Sequence, residues 1–233
     1  DSMDSWNVED YKSPVWLKNG SEVLSLICSK MISKKGRAIS LLLPEYFCGQ
    51  SLRYIRSQDV HLIFYSVDAS NEPRYDEIEQ VIDNAQIDIF MLVHYFGIIT
   101  SQERIKNICD NKNIALLEDC AHIIFPQSHM KWFGDYLMFS PHKHLPVKNG
   151  GILYSRTELD GINIHTSSTK YSWLIKRLLR RYMLKKHFMK EQVTEYLYSK
   201  DVEIPQYEHP SKYEMSMLNY FTRNITTHLS DIN

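Results

Sequence analysis

Two charged residues stand out by type and by position. Asp119 sits just past the apolar run Ile114–Leu117, and Lys143 sits just past the apolar run Tyr136–Phe139. A Gly150-Gly151 pair follows. If both runs are strands of a parallel α/β sheet, their carboxyl ends share one edge, where the ligand crevice of such sheets forms. A carboxylate and an amine would then face one pocket. A plainer reading also exists. An acid at a strand end often only caps a helix, and a lysine in a loop is usually just solvated.

Pyridoxal phosphate uses both groups. A lysine amine condenses with its aldehyde, and an acid keeps its pyridine nitrogen protonated so that the ring can accept electrons. A carboxylate beside a pyridinium makes a charge-assisted hydrogen bond, roughly twice as strong as a neutral one. Three stretches then carry a resemblance. Glu118-Asp119-Cys120-Ala121-His122 resembles the EDAAQ/H segment of the DegT/DnrJ/EryC1/StrS aminotransferases. Phe139-Ser140-Pro141-His142-Lys143-His144-Leu145-Pro146, with Asn149-Gly150-Gly151 after it, is similar to the lysine loop of that family. Val93-His94-Tyr95-Phe96-Gly97 resembles its VHLFG strand end. The resemblance runs in order from about residue 18 to 155.

These relatives are fold-type I pyridoxal-phosphate enzymes acting mainly on nucleotide-linked keto-sugars. The resemblance implies a three-layer α/β/α large domain with a mostly parallel sheet. It implies that Lys143 bonds the cofactor and serves as acid–base catalyst, and that Asp119 holds the ring nitrogen. His122 would approach the ring oxygen or ring face. Gly20, Ser21 and Ser140 would bind the phosphate, and Tyr46 or Phe47 would stack on the ring. It further implies an amino-acid donor, a nucleotide-sugar acceptor and a homodimer. Some wider relatives replace the lysine by histidine and dehydrate a sugar, so His142 and His144 are rivals to Lys143, with Lys148 a lesser one. Asn149 stands where the family usually has Asp or Glu. Against the family the sequence reads as a truncation, a fragment or half of a split enzyme, lacking most of the small C-terminal domain, an expectation that keeps a non-catalytic cofactor-binding or partner-binding relative as the alternative.

The elements that must position these residues can be read from periodicity. Asn19-Gly20-Ser21-Glu22 opens a helix with a capping-box-like start, and Val23, Leu24, Leu26, Ile27 and Met31 supply its apolar face. A helix start of this kind favours an anion. Ala38–Leu43, His61–Val67 and Ile87–Val93 read as strands, Gln50–Ser57 and Tyr75–Asn84 as helices. Thr100-Ser101-Gln102-Glu103 fits a second capping box. Strand and helix alternate, which argues for a parallel sheet with crossover helices. Gly151–Ser155 is expected as an antiparallel strand, and Tyr213–Ile232 as a late helix with Met217, Phe221, Ile225 and Leu229 inward. The expected organisation is a loosely ordered arm over 1–17, the cofactor-binding domain over 18–165 and a helical segment over 166–233.

Composition bounds the rest. At 233 residues, 43% hydrophobic and 24% charged, the chain is ordinary for a soluble globular protein. Cys28, Cys48, Cys109 and Cys120 lack the pairing of a disulfide framework and read as reduced thiols of a cytoplasmic protein. No His/Cys pairs have the spacing of a closed zinc site, and neither a P-loop nor a Gly-rich dinucleotide fingerprint is present. No run has the length of a membrane span. Net charge is −1, yet residues 170–190 hold eight of the 27 basic residues and no acid. That stripe suits an anionic surface or an acidic partner, or a solvated helix face. No nucleic-acid partner is expected.

Overall fold

The computed structural model describes residues 6–166, apart from 101, 128, 146, 160 and 163, together with 207–230. The basic stretch 170–190 lies outside the described residues. Seven strands form one sheet: β1 (Val15–Leu17), β2 (Ile39–Pro44), β3 (Val60–Tyr65), β4 (Ile89–Val93), β5 (Ala115–Asp119), β6 (Tyr136–Phe139) and β7 (Gly151–Ser155), in the order β1-β7-β6-β5-β4-β2-β3. From β3 to β6 neighbouring strands run parallel, and β7 is antiparallel to both β6 and β1.

Helices cover both faces, and the strand alternation decides which side chain meets which layer. Leu41 and Leu43 of β2 and Ile89, Met91 and Val93 of β4 pack with Val23, Leu24 and Ile27 of α1 (Gly20–Lys35). Their neighbours Leu42, Phe90 and Leu92 pack on the other face, with Ile78 and Ile82 of α2 (Tyr75–Asn84) and Ile105 and Cys109 of α3 (Gln102–Lys112). Covering on both sides is why β4 reads as an unbroken apolar run rather than an alternating one. The outcome is the expected three-layer α/β/α arrangement.

Several boundaries differ from the sequence reading for physical reasons. The expected helix over Gln50–Ser57 is two 3₁₀ turns, Gly49–Leu52 and Ile55–Ser57. Their buried side chains Leu52 and Ile55 are three residues apart, the repeat of that tighter helix. Asp119 is the last residue of β5, not one beyond it, because it pairs with Val93 and Met138. Thr100 does not cap α3. Its hydroxyl turns instead to His94 Nδ1, 3.1 Å away.

The arm is anchored from Trp6 onward. Trp6 is fully buried, meets Trp16 and Phe125 edge to face, and its carbonyl accepts the Tyr154 hydroxyl at 2.7 Å. Two aromatic contacts of this size and the hydrogen bond outweigh the polar residues around them. The late helix, α4 (Lys212–Ser230), buries Glu214, Leu218 and Thr222, with Met217 and Phe221 packed at the side.

The sheet edge that matters most for the site is closed by a glycine. A Cβ on Gly151 would lie 2.5 Å from the carbonyl carbon and oxygen of Asn19, so only hydrogen lets β7 pass the start of α1. Gly151→Ala is expected to destabilise the fold by about 1–3 kcal/mol through backbone overlap. Gly49→Ala, whose nearest neighbour is the end of the Arg56 side chain at 3.9 Å, should stay within about 0.5 kcal/mol. Urea unfolding midpoints of the two variants check this.

Candidate functional site

The carboxyl ends of β5 and β6 and the start of α1 meet around one cavity of about 280 Å³. Asp119 closes β5. Ser140 follows β6, and the 3₁₀ turn Pro141–Lys143 is held to it by the Lys143 N–H bonding the Ser140 carbonyl at 2.9 Å. From the facing side, Asn19 caps α1 by accepting the Glu22 N–H at 3.1 Å. Glu22 in turn accepts the Lys18 N–H at 3.2 Å, a capping box displaced by one residue from the usual partner. Gly20 then lies against Ser140, whose Oγ is 2.6 Å from where a Cβ at position 20 would sit. The helix start and the serine thus share one point in space because residue 20 has no side chain.

Period-two alternation assigns Glu118 and Asp119 to opposite faces. Glu118 is fully buried and saturated. Its Oε1 accepts the N–H groups of Phe133 at 2.8 Å and Gly134 at 2.5 Å, and its Oε2 accepts Gln102 Nε2 at 2.6 Å and His94 Nε2 at 2.7 Å. The Thr100 N–H donates to His94 Nδ1 at 3.3 Å, which places the imidazole proton on Nε2. His94 is therefore a structural strand-end histidine.

Asp119 faces the cavity and is also buried, yet it is poorly served. Among the described residues its only hydrogen-bond donor is the Ala121 N–H, 2.8 Å from Oδ1. Burial raises its pKa, with the Lys143 ammonium and the Ala121 N–H opposing. His122 is held by accepting the Phe96 N–H on Nδ1 at 3.0 Å and by stacking on the Phe96 ring at 5.9 Å. Burial lowers its pKa, helped by Lys143 and opposed by Asp119, which favours neutral imidazole.

The structure brings Gly20, Ser21, Asp119, Ser140 and Lys143 to the cavity lining together. It does not bring Tyr46, Phe47 or His122 there. Tyr46 is 62% exposed and stacks on Tyr95, while Phe47 packs against the α1-side core. The rivals His142 and Lys148 do line the cavity. His142 Nδ1 donates to the Gly150 carbonyl at 2.7 Å, and His144 Nε2 donates to the Ala121 carbonyl at 3.0 Å, so both flanking imidazoles are committed to backbone. The Lys143 side chain is exposed and has no hydrogen bond or ion pair among the described residues. Cys48, Gln50, Ser51 and Arg53 also line the cavity and were missed from sequence. They follow the carboxyl end of β2, so the crevice rule applied to that strand would have found them.

The model of the DegT/DnrJ/EryC1/StrS aminotransferase family matches residues 18–166. The chain belongs to that family. Solved structures share the fold at low identity. PseC of Helicobacter pylori, an aminotransferase involved in the biosynthesis of pseudoaminic acid, has a TM-score of 0.62 and 13% identity, over 96% of this chain and 55% of its own. A DegT DnrJ EryC1 StrS aminotransferase from Brucella abortus has a TM-score of 0.59 and 14% identity, over 92% and 54%. The aminotransferase from Psychrobacter cryohalolentis has a TM-score of 0.53 and 15% identity, over 98% and 54%. The chain thus spans about half the length of these structures. Among curated proteins none matches the sequence.

The DegT-family cofactor, pyridoxal phosphate, fits the residues present. The under-served carboxylate of Asp119 matches a protonated ring nitrogen, and the Gly20–Ser140 approach leaves the first N–H groups of α1 open to an anion. The cost of burying Asp119 gives a test. Its folded pKa lies above the ordinary 3.8, so the folded chain binds more protons than the unfolded one, and stability falls as pH rises through the raised value. Asp119→Asn keeps the bond to Ala121 and removes the charge. Without cofactor, the variant should match the parent near about pH 4 and melt above it near about pH 7. Thermal melts across that range check the sign.

Proposed function

We propose that this chain forms the cofactor-binding part of a pyridoxal-phosphate-dependent aminotransferase that passes an amino group from an amino acid to a nucleotide-linked keto-sugar. The observation that carries the reading is the shared cavity of Asp119, Lys143, Ser140 and the start of α1. When bound, pyridoxal phosphate supplies an electron sink that stabilises a carbanion on the substrate α-carbon. Asp119 would hold the proton on the ring nitrogen. Gly20, Ser21 and Ser140 would bind the phosphate. Lys143 Nζ would anchor the cofactor, take the α-proton once displaced and return it as acid. His122, latched to Phe96 and with its pKa lowered by burial, would approach the ring oxygen or ring face from just outside the cavity lining.

Lys143 is favoured over His142 because its amine has no competing partner among the described residues, whereas the His142 Nδ1 proton is spent on Gly150 and burial lowers the imidazole pKa. The cavity volume is near the lower end of ligand pockets, about 300 Å³. It suits one cofactor-sized molecule, so the sugar nucleotide would lie across the mouth.

The assembly we propose is a homodimer. Tyr46, Phe96 and Ile98 are 62%, 67% and 65% exposed, and ring contacts link Tyr46 through Tyr95 to Phe96 and His122. An apolar group of this kind is typical of a subunit face. Phe96→Ser should lower the mass measured by light scattering from two chains to one, and an unchanged mass would remove this part of the reading.

The anchor is tested chemically. Soaking the protein in pyridoxal phosphate, reducing with borohydride and mapping the peptides should place the label on Lys143. Lys143→Ala should remain colourless and unlabelled. A label on Lys148, or visible absorption surviving in Lys143→Ala, would refute the assignment.

A further inference from the structure

The loop that carries Lys143 has two sides. One faces the cavity, through His142, Lys143 and Lys148. The other is covered by α4, a helix far away in sequence. Leu145 and Val147 of the loop are buried in the same apolar cluster as Leu218, with Met215 and Phe221 of α4 against it. At the end of the loop a single carboxylate makes the junction. Glu214 Oε1 accepts the Asn149 N–H at 3.0 Å, and Oε2 accepts Asn149 Nδ2 at 3.2 Å. Oε2 also accepts the N–H and the hydroxyl of Ser211, both at 2.8 Å. Asn149, Ser211 and Glu214 are all buried, at 4%, 2% and 6% exposure.

Every group aimed at Glu214 is a donor. The site therefore demands a full carboxylate, since an amide there would present N–H to N–H in a buried place. The same logic fixes residue 149. An aspartate would set two buried carboxylates against each other, whereas asparagine supplies the needed donor. Asn149 is two residues from Gly151, whose backbone is pressed on Asn19 at the start of α1. The Gly150 N–H adds a bond to the Lys18 carbonyl at 2.8 Å. Glu214 thus grips the loop beside the point where it meets the start of α1.

We propose that Glu214 is a positioning residue: through Asn149 it couples the seating of α4 to the placement of the Lys143 loop over the cavity. The coupling itself stands on the contacts above. Its consequence for Lys143 chemistry rests on the function proposed in the preceding subsection.

Hydrogen exchange read by mass spectrometry on the cofactor-free chain tests the coupling. Glu214→Gln and Asn149→Asp should each speed exchange of peptides spanning 142–150 by at least about tenfold, the effect of an unpaired buried polar group. Peptides from β2 and β4 should keep their protection. The double variant Asn149→Asp/Glu214→Gln, which exchanges carboxylate and amide across the contact, should recover part of the loss. If neither single variant folds, the milder Glu214→Asp keeps the charge and should show the same local effect. Unchanged loop exchange would overturn the proposal, and so would a loss spread evenly over the sheet with no recovery in the double variant. A second readout uses the protein loaded with pyridoxal phosphate. The pH at which its visible band titrates should shift in Glu214→Gln and return toward the parent value in the double variant; no shift would overturn the link to Lys143. Failure of the parent chain to take up pyridoxal phosphate would count against the proposed function alone, because the exchange result is obtained without cofactor.

Discussion

The site depends on a buried carboxyl group, Asp119, that the described residues leave short of donors. Glu118 and Asp119 are chain neighbours at the end of one strand, and the pleat sends them to opposite faces. Glu118 receives two backbone and two side-chain donors and is inert as a result. Asp119 receives one donor and bears the penalty of desolvation. A carboxylate in that state can recover the missing interaction from a cationic group placed in the cavity. The fold thus stores an unfavourable term where a ligand can relieve it, which is how binding sites differ from the rest of a core.

The surroundings of Asp119 keep that term in place. Saturating Glu118 ties together the end of β4, the start of α3 and the segment before β6, so the strand end that carries Asp119 has little freedom to turn its side chain elsewhere. On the facing side, two close approaches set the width of the cavity. Gly20 admits Ser140 Oγ, and Gly151 admits the Asn19 carbonyl. Glycine is required at both by contact distance with neighbouring atoms. These are long-range constraints that link α1 to strands more than a hundred residues later.

This division explains what could be read from the sequence. The parallel sheet was legible because apolar runs alternate with helical stripes, and β6 and β7 fell on the expected residues. The strand-end rule put Asp119 and Lys143 at one sheet edge, the resemblance added Gly20, Ser21 and Ser140, and all five line one cavity. Local pattern said less about side-chain direction. Tyr46 and Phe47 follow the same strand, and nothing in their spacing shows that one is exposed and the other half-buried against the core. Thr100 to Glu103 has the letters of a capping box, but a buried histidine nearby competes for the threonine. The arm around Trp6 has a polar composition, and only tertiary contact with Trp16, Phe125 and Tyr154 gives it order. The role of Glu214 was invisible for the same reason, since its partner lies 65 residues earlier.

The charge pattern of the cavity carries the argument one step further. Among the described residues its lining sets the cationic side chains of Lys143 and Lys148 against the acid Asp119. The start of α1 adds the positive end of a helix of 16 residues. Such a lining favours an anion as a whole. Yet Asp119 is buried at a strand end, with hydrogen-bonding capacity that the described residues leave unspent. A simple anion would satisfy the cations and leave Asp119 as costly as before. A molecule carrying negative charge at one end and a cationic hydrogen-bond donor at the other would answer both demands. The pairing of an anion-binding helix start with a donor-poor carboxylate therefore selects more sharply than either feature does by itself.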